Sequence, residues 1–336
     1  MKKILCLLLT LSLCLTASLL PARAENEVQT YDGWLYTVEN EEVTIRGYVD
    51  KSAEELNIPE MIQGMPVTVI GERAFADGVN FQEGPPSGFS NYKFTKMTFP
   101  STLKRIEDYA FCGTYLKSII LNEGLEYIGT SAFQNCRSYR IVFPNTLKYI
   151  GDDACRGMTG LLSMNWDADL DEDDPLSYNL LVIPESVEYL GAGAFENCKF
   201  MWYAVVLCPA ASYHLFWGCN NLLAVFFSDL CGKLSPYMFG SYSYDIRIPS
   251  QIIGYDGTYA EQFAQDMGVE FISVGRRPGD VDLDNKLTVS DVVTLRNLIA
   301  ADNANDEQQK VGDLDKDGEL TVADVVAMRQ RIIRIG

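Results

Sequence analysis

"IGTSAF" (residues 128–133) is one of several near-copies of a phrase that also reads "IGERAF" (70–75), "IEDYAF" (106–111), "IGDDAC" (150–155) and "LGAGAF" (190–195). Weaker echoes follow at "SYHLFW" (212–217) and "LSPYMF" (234–239). The aromatic position falls at Phe75, Phe111, Phe133, Cys155, Phe195, Phe216 and Phe239, a unit of about 22 residues with insertions in two of the gaps. Each unit also holds a β-branched run closed by proline, as in "KMTFP" (96–100), "RIVFP" (140–144), "LLVIP" (180–184) and "RIPS" (247–250). Strands this short cannot bury both faces alone. Stacked coils solve the problem, because each Ile, Leu and Phe then packs on the same position of the next coil.

A period of about 20–29 residues is that of leucine-rich repeats, so the expected fold is a mainly β, curved solenoid with short 3-10 or α turns. Cys136, Cys198 and Cys219 each follow the repeat aromatic by three residues. A recurring phase marks an inward-facing, small apolar side chain better than a disulfide, since thiols are among the most buried groups. Cys112, Cys155, Cys208 and Cys231 lie off that phase. The I-G-x-x-A-F phrases, the cysteine three residues on and the proline-closed strands together resemble the BspA-type leucine-rich repeat proteins of bacterial surfaces. The resemblance spans about residues 30–273. It implies a first cap over about 30–69 and a last cap over about 252–273, with a helix near Thr258–Asp266 stopped at Gly268. The chain departs from the family pattern at Cys155, where Phe is expected, and over 196–240, where the phrase decays.

The chain opens with Met1, Lys2 and Lys3, an apolar run from Ile4 to Leu20, then Pro21-Ala22-Arg23-Ala24. A positive start, a short apolar segment and a small-x-small site read as a secretory signal over 1–24, cleaved after Ala24. The run is about as long as the shortest membrane spans, which makes an uncleaved anchor the other reading, but Pro21 and the Ala22/Ala24 pair favour cleavage. The solenoid then occupies 25–273. A formal charge of −19 repels nucleic acid and anionic lipid, so neither is an expected partner once the signal is gone. Seven of nine cysteines remain in the mature chain, too sparse for a disulfide scaffold.

Two insertions break the period. "FQEGPPSGFSNY" (81–92) is rich in Gly, Pro and Ser, and "DADLDEDDPLSYN" (167–179) is strongly acidic. Both read as solvated loops. The sharper alternative is a ligand loop on the rim, with Asp167, Asp169, Asp171, Glu172, Asp173 and Asp174 holding a cation and Trp166 or Tyr178 stacking on a sugar.

A second repeat closes the chain. "GDVDLDNKLTVSDVV" (279–293) aligns with "GDLDKDGELTVADVV" (312–326) at a constant offset of 33 residues. Asp280, Asp282, Asp284 and Asp291, and equally Asp313, Asp315, Asp317 and Asp324, take loop positions 1, 3, 5 and 12 of the EF-hand calcium pattern. Position 7 offers a backbone carbonyl from Lys286 or Glu319. Position 9, Thr288 or Thr321, reaches the ion through water. Gly318 at position 6 suits the turn, while Asn285 takes that place in the first loop. Two Ca2+ sites are therefore expected. Neither loop is expected to have a helix in front, and each is followed by a helix, "DVVTLRNLIA" (291–300) or "DVVAMRQRII" (324–333).

This duplicated loop and helix over 279–336 resembles the type I dockerin, a small all-α module that docks secreted proteins onto cohesin modules of a scaffolding protein in cellulosome-like complexes. The resemblance implies partner contacts at positions 10, 11, 17 and 18 of each copy. These are Val289, Ser290, Arg296 and Asn297 in the first, and Val322, Ala323, Arg329 and Gln330 in the second. The copies are alike enough for either helix to dock, the two-way binding the family implies. Residues 274–278, "VGRRP", form a short linker.

Dockerins often tow glycoside hydrolases, which need two carboxylates about 5–10 Å apart on a rigid frame. Glu123, Glu185 and Glu196 sit in repeat turns and are the candidates, but recurrent surface acids are mostly solvated. The single histidine, His214, lies beside Leu215 and Phe216, so neither a histidine-rich zinc site nor a nucleophile triad can be assembled around it. The expected protein is a secreted, non-catalytic subunit, held at the cell surface through a scaffold. Its solenoid would bind plant polysaccharide or a host or cell-surface protein. A hydrolase of O-glycosyl bonds and a self-associating structural protein are the alternatives.

Overall fold

In the computed structural model each phrase forms one edge of a coil, and the coils stack so that phrase residues lie on their counterparts. The structure describes residues 27–76, 92–138, 140–158, 180–199, 201–209, 212–240 and 248–335. The expected signal (1–24), residues 81–91 of the first insertion, and the acidic insertion with Trp166 and Tyr178 lie outside the described residues.

The first phrase residue ends a short strand. Met65–Ile70, Arg105–Ile106, Tyr127–Ile128, Tyr149–Ile150 and Tyr189–Leu190 pair in parallel in that order, which puts Ile70, Ile106, Ile128, Ile150 and Leu190 in one row. All five are buried. A second set of parallel strands carries the proline-closed runs. Glu55–Asn57 pairs with Lys96–Thr98 and Ser118–Ile120 with Arg140–Val142, while Leu180–Ile183, Tyr203–Val206, Ala224–Phe227, Gln251–Gly254 and Glu270–Ser273 follow one another. One run is misplaced by the sequence reading: around "RIPS" the strand begins only at Gln251, after Pro249, whose missing N–H cannot join a ladder.

Between the two strand sets the coils of Phe111, Phe133, Cys155, Phe195 and Phe216 each turn through two left-handed residues. One stands two residues before the repeat aromatic, at Arg73, Tyr109, Ser131, Asp153 and His214, with φ between 53° and 59°. The other stands two residues after it, at Gly113, Asn135, Gly157, Asn197 and Gly218. Even this turn is a ladder: the N–H of Phe111 donates to the Ala132 carbonyl and that of Phe133 to the Ala154 carbonyl, both at 2.7 Å. The coil survives where the phrase decays, since Phe216 N–H donates to the Met238 carbonyl at 2.7 Å over a 3-10 turn at Pro236–Met238.

Glu107 fills the glycine position of the second phrase, but farther along the stack proximity demands the glycine. A Cβ on Gly151 would lie 2.6 Å from the Gly129 carbonyl carbon, and one on Gly191 would lie 2.3 Å from the Gly151 carbonyl carbon. The repeat aromatics stack along the coils. Phe75, Phe111 and Phe133 lie face to face with centroids 5.2 Å apart. The column resumes from Phe195 to Phe216 and Phe239, and Phe263 meets its end. Cys155 takes the aromatic position of its coil, and Phe143, the strand residue equivalent to Phe99, packs edge-on against Phe195 as Phe99 does against Phe111.

Thiols behave as small core groups. All seven described cysteines are free and buried. Cys198 donates to the Cys155 carbonyl and Cys219 to the Phe195 carbonyl, each at 3.1 Å and each one coil back. Burial pushes the Cys136 thiol up to about 11 and those of Cys112 and Cys231 to about 12.

The solenoid ends are closed by other means. Antiparallel strands Gln29–Tyr31, Trp34–Glu39 and Glu42–Tyr48 lead into Met65–Ile70 and set Trp34 against Phe75. At the far end helix α1 (Tyr259–Met267), stopped by left-handed Gly268, buries Ala260, Phe263 and Ala264. Beyond it, helices α2 (Val289–Ala301), α3 (Asp306–Gly312) and α4 (Val322–Ile335) enclose a separate core of Val281, Leu287, Val292, Leu295, Val311, Val325 and Met328. Helix α3 corrects the expectation that no helix precedes either loop. It is nucleated by a capping box between Asn305 and Gln308, with acids in its first turn and Lys310 in its last.

Phe133→Ala should cost about 3–5 kcal/mol, as for other buried aromatics, and Gly151→Ala a loss of similar order, both read as a lowered urea midpoint. A disulfide-exchange reagent at pH 8 should leave the native thiols unmodified and label all seven only in denaturant.

Candidate functional site

The two aspartate loops fold alike. In the first, carboxylate oxygens of Asp280, Asp282 and Asp284 lie within 4.8 Å of one another, and Asp313, Asp315 and Asp317 repeat the cluster in the second. The chain is wrapped around the position-1 residue: Asp284 N–H donates to Asp280 Oδ1 at 3.0 Å and Asn285 N–H to Oδ2 at 3.1 Å. Asp317 and Gly318 treat Asp313 in the same way.

The fourth carboxylate has a different engagement. Asp291, fully buried, accepts from Val281 N–H at 2.9 Å and Asp282 N–H at 3.2 Å on one oxygen, and from Thr288 N–H at 2.8 Å on the other. Asp324 matches it bond for bond with Leu314, Asp315 and Thr321. Thr288 and Thr321, expected to serve through water, accept from the N–H groups of Ser290 and Ala323 at the helix starts. Lys286 and Glu319 direct their own N–H groups at Asp284 and Asp317. Each loop thus presents an oxygen-only donor set, the chemistry a hard divalent cation takes. Burial, against hydrogen bonds that lower them, pushes the Asp280 and Asp291 carboxyls above the ordinary range.

The copies differ just upstream. Arg276 donates to the Leu283 carbonyl and Asn285 Oδ1 and sits 3.5 Å from Asp280, while Gln309, the residue 33 positions later, donates to the Gly318 carbonyl at 3.1 Å. The eight expected partner contacts, Val289, Ser290, Arg296, Asn297, Val322, Ala323, Arg329 and Gln330, are all exposed.

The solenoid offers two outward surfaces that sequence reasoning did not single out. On the proline-closed strands an apolar row runs from Ile120 and Val142 through Val182, Val205 and Phe226 to Ile253 and Ile272; Ile120 is 54% and Val182 40% exposed. The alternation within each strand could have found it, had the register across the insertions been known. On the other strand set Tyr127, Tyr149 and Tyr189 stack at 4.6 and 4.5 Å, and Arg105 caps Tyr127 at 3.8 Å. Their faces are used on one another.

The catalytic candidates are dispersed or neutralised. Glu196 is buried and ion-paired to Arg156 at 2.8 Å, with Asp153 3.6 Å from the same guanidinium. Burial pushes Glu196 upward and Arg156 opposes it. Glu123 accepts from Asn145 N–H at 3.0 Å, and Glu185 faces Arg331. His214 stacks on Tyr213 and lies tilted against Trp217.

A family profile described as "BspA type Leucine rich repeat region" matches residues 85–172 and 175–260 in six copies. Solved structures similar to the chain include a leucine-rich repeat protein of T. pallidum, TpLRR, at 22% identity and TM-score 0.48 over 73% of this chain and 98% of that one. A leucine-rich repeat protein from Bacteroides ovatus shows 21% identity and TM-score 0.47, covering 68% and 59%. A leucine rich cell surface protein from Faecalibacterium prausnitzii shows 15% identity and TM-score 0.30, covering 75% and 96%. No curated protein matches.

Asp324→Ala strips three backbone donors of their acceptor, and should destabilise the C-terminal module by about 2–4 kcal/mol even in chelator, seen as an early transition in thermal unfolding.

Proposed function

Because the chain belongs to the BspA-type leucine-rich repeat family, we propose that it is a binding protein, with a recognition solenoid carried on a calcium-dependent docking module. The C-terminal module acts as a dockerin. It attaches the secreted protein to a cohesin of a scaffolding protein, while the solenoid grips a plant polysaccharide or a protein on a host or neighbouring cell. The single observation that supports this most is the bond-for-bond repetition of the two loops, down to the three N–H groups that each position-12 aspartate accepts.

Calcium in the first loop would be held by Asp280, Asp282, Asp284, the Lys286 carbonyl and Asp291, with Thr288 through water. Asp313, Asp315, Asp317, Glu319, Thr321 and Asp324 take the same roles in the second. The ion supplies the positive charge that lets these carboxylates stay ionised at close quarters. At free calcium about 100-fold above Kd, each site contributes about 2.7 kcal/mol to folding. Acid weakens the binding, since Asp280 and Asp291 protonate above the ordinary carboxylate range.

The reading is tested with purified mature protein and the cohesins of its own organism. Calorimetry should show binding in calcium and none in chelator; indifference to every cohesin with calcium present would sink the docking role. The solenoid's ligand is sought by depletion of the protein onto insoluble cellulose, xylan and starch, with released sugar read from the same tubes. Depletion without sugar fits the proposal, and sugar release sensitive to a single carboxylate substitution would make the chain a hydrolase instead.

A further inference from the structure

Asp229 follows the solenoid strand Ala224–Phe227, in a tight turn, and its side chain is completely enclosed. A carboxylate so placed is costly unless paired. Two guanidinium groups from beyond the last cap surround it. Arg331 of α4 donates Nη2 to Oδ1 at 2.6 Å and Nε to Oδ2 at 3.0 Å, the bidentate geometry that makes arginine–carboxylate pairs strong. Arg277 brings its Nε to 4.0 Å from the same carboxylate and donates Nη2 to the Asp229 carbonyl at 3.2 Å.

Residues 274–278 are therefore fastened at both arginines. Arg277 holds the solenoid, while its neighbour Arg276 holds the first aspartate loop and pairs with Glu307 of α3 at 2.7 Å. A third contact lies at Gly257 (φ 69°), where a Cβ would come 2.3 Å from the Asn285 carbonyl oxygen. The arginine on α4 also breaks the internal repeat: 33 residues earlier stands Leu298, packed against the core of the module.

We propose that Asp229 is an intramolecular receptor for helix α4, fixing the C-terminal module on the solenoid so that a partner held by the module meets the solenoid in a set orientation. The clamp leaves the exposed contacts on α2 and α4 free, so partner and solenoid can occupy the module together. With either helix able to dock, the solenoid takes one of two discrete orientations on its partner instead of a continuous range. The orienting role rests on the proposed docking function, whereas the clamp itself stands on the bonds at Asp229 alone.

The test is trypsin cleavage of the Arg276–Arg277 bond in the mature chain, in calcium buffer, followed by intact mass, with X-ray scattering of the same samples. The wild type should keep the bond and scatter as one rigid body. Arg331→Gln and Asp229→Asn should each be cut about tenfold faster, because the clamp no longer closes the segment. Lys310→Gln, on the exposed side of α3, should behave as wild type. Asp229→Asn can disturb the solenoid turn itself, so Arg331→Gln, with helicity checked by circular dichroism, decides the matter. Wild type cleaved as fast as Arg331→Gln, or wild-type scattering that demands two independently moving bodies, would overturn the proposal.

Discussion

Everything in the solenoid depends on how closely one coil may approach the next. Gly151 and Gly191 sit where a single Cβ would strike the backbone of the coil below. With that contact allowed, the carbonyls and N–H groups of the turns come within bonding distance, and a ladder runs along the turns as well as the strands. Phenylalanine stacking and thiol donation one coil back then follow from the same translation. The fold is a short list of local choices repeated, and each coil needs its neighbour to satisfy its backbone and cover its apolar face.

The parts of this that were legible in the sequence are those that repeat. The phrase, the buried phase of Cys136, Cys198 and Cys219, and the two aspartate loops all show as self-similarity, because translational stacking forces like residues to like positions. The left-handed turn residues were half visible: Gly113, Gly157 and Gly218 announce themselves, while Tyr109, Ser131 and Asp153 hold the same backbone angle without any compositional mark. Contacts made once were hidden. Nothing periodic pairs Asp229 with Arg331, about a hundred residues apart. Helix α3 is marked in the sequence only by its short capping box, Asn305 with Gln308, since seven residues are too few to show a helical apolar period.

The two cores divide the labour of the molecule. The larger is an extended column that leaves long outward rows, one apolar and one of tyrosines stacked on one another. The smaller is compact and leans on its aspartates, whose buried oxygens organise the loop backbone before any cation is considered.

The direction of the coil-to-coil bonds bears on how such a molecule responds to being pulled. Because those bonds point along the stack, tension applied along it stretches them head-on and in sequence, and does not shear many at once. Coils would peel singly from the end nearer the load, each yielding a short length of chain while the remainder stays folded. A protein fixed at one end and gripping at the other would then lengthen by steps under strain, a tether that absorbs force before it lets go.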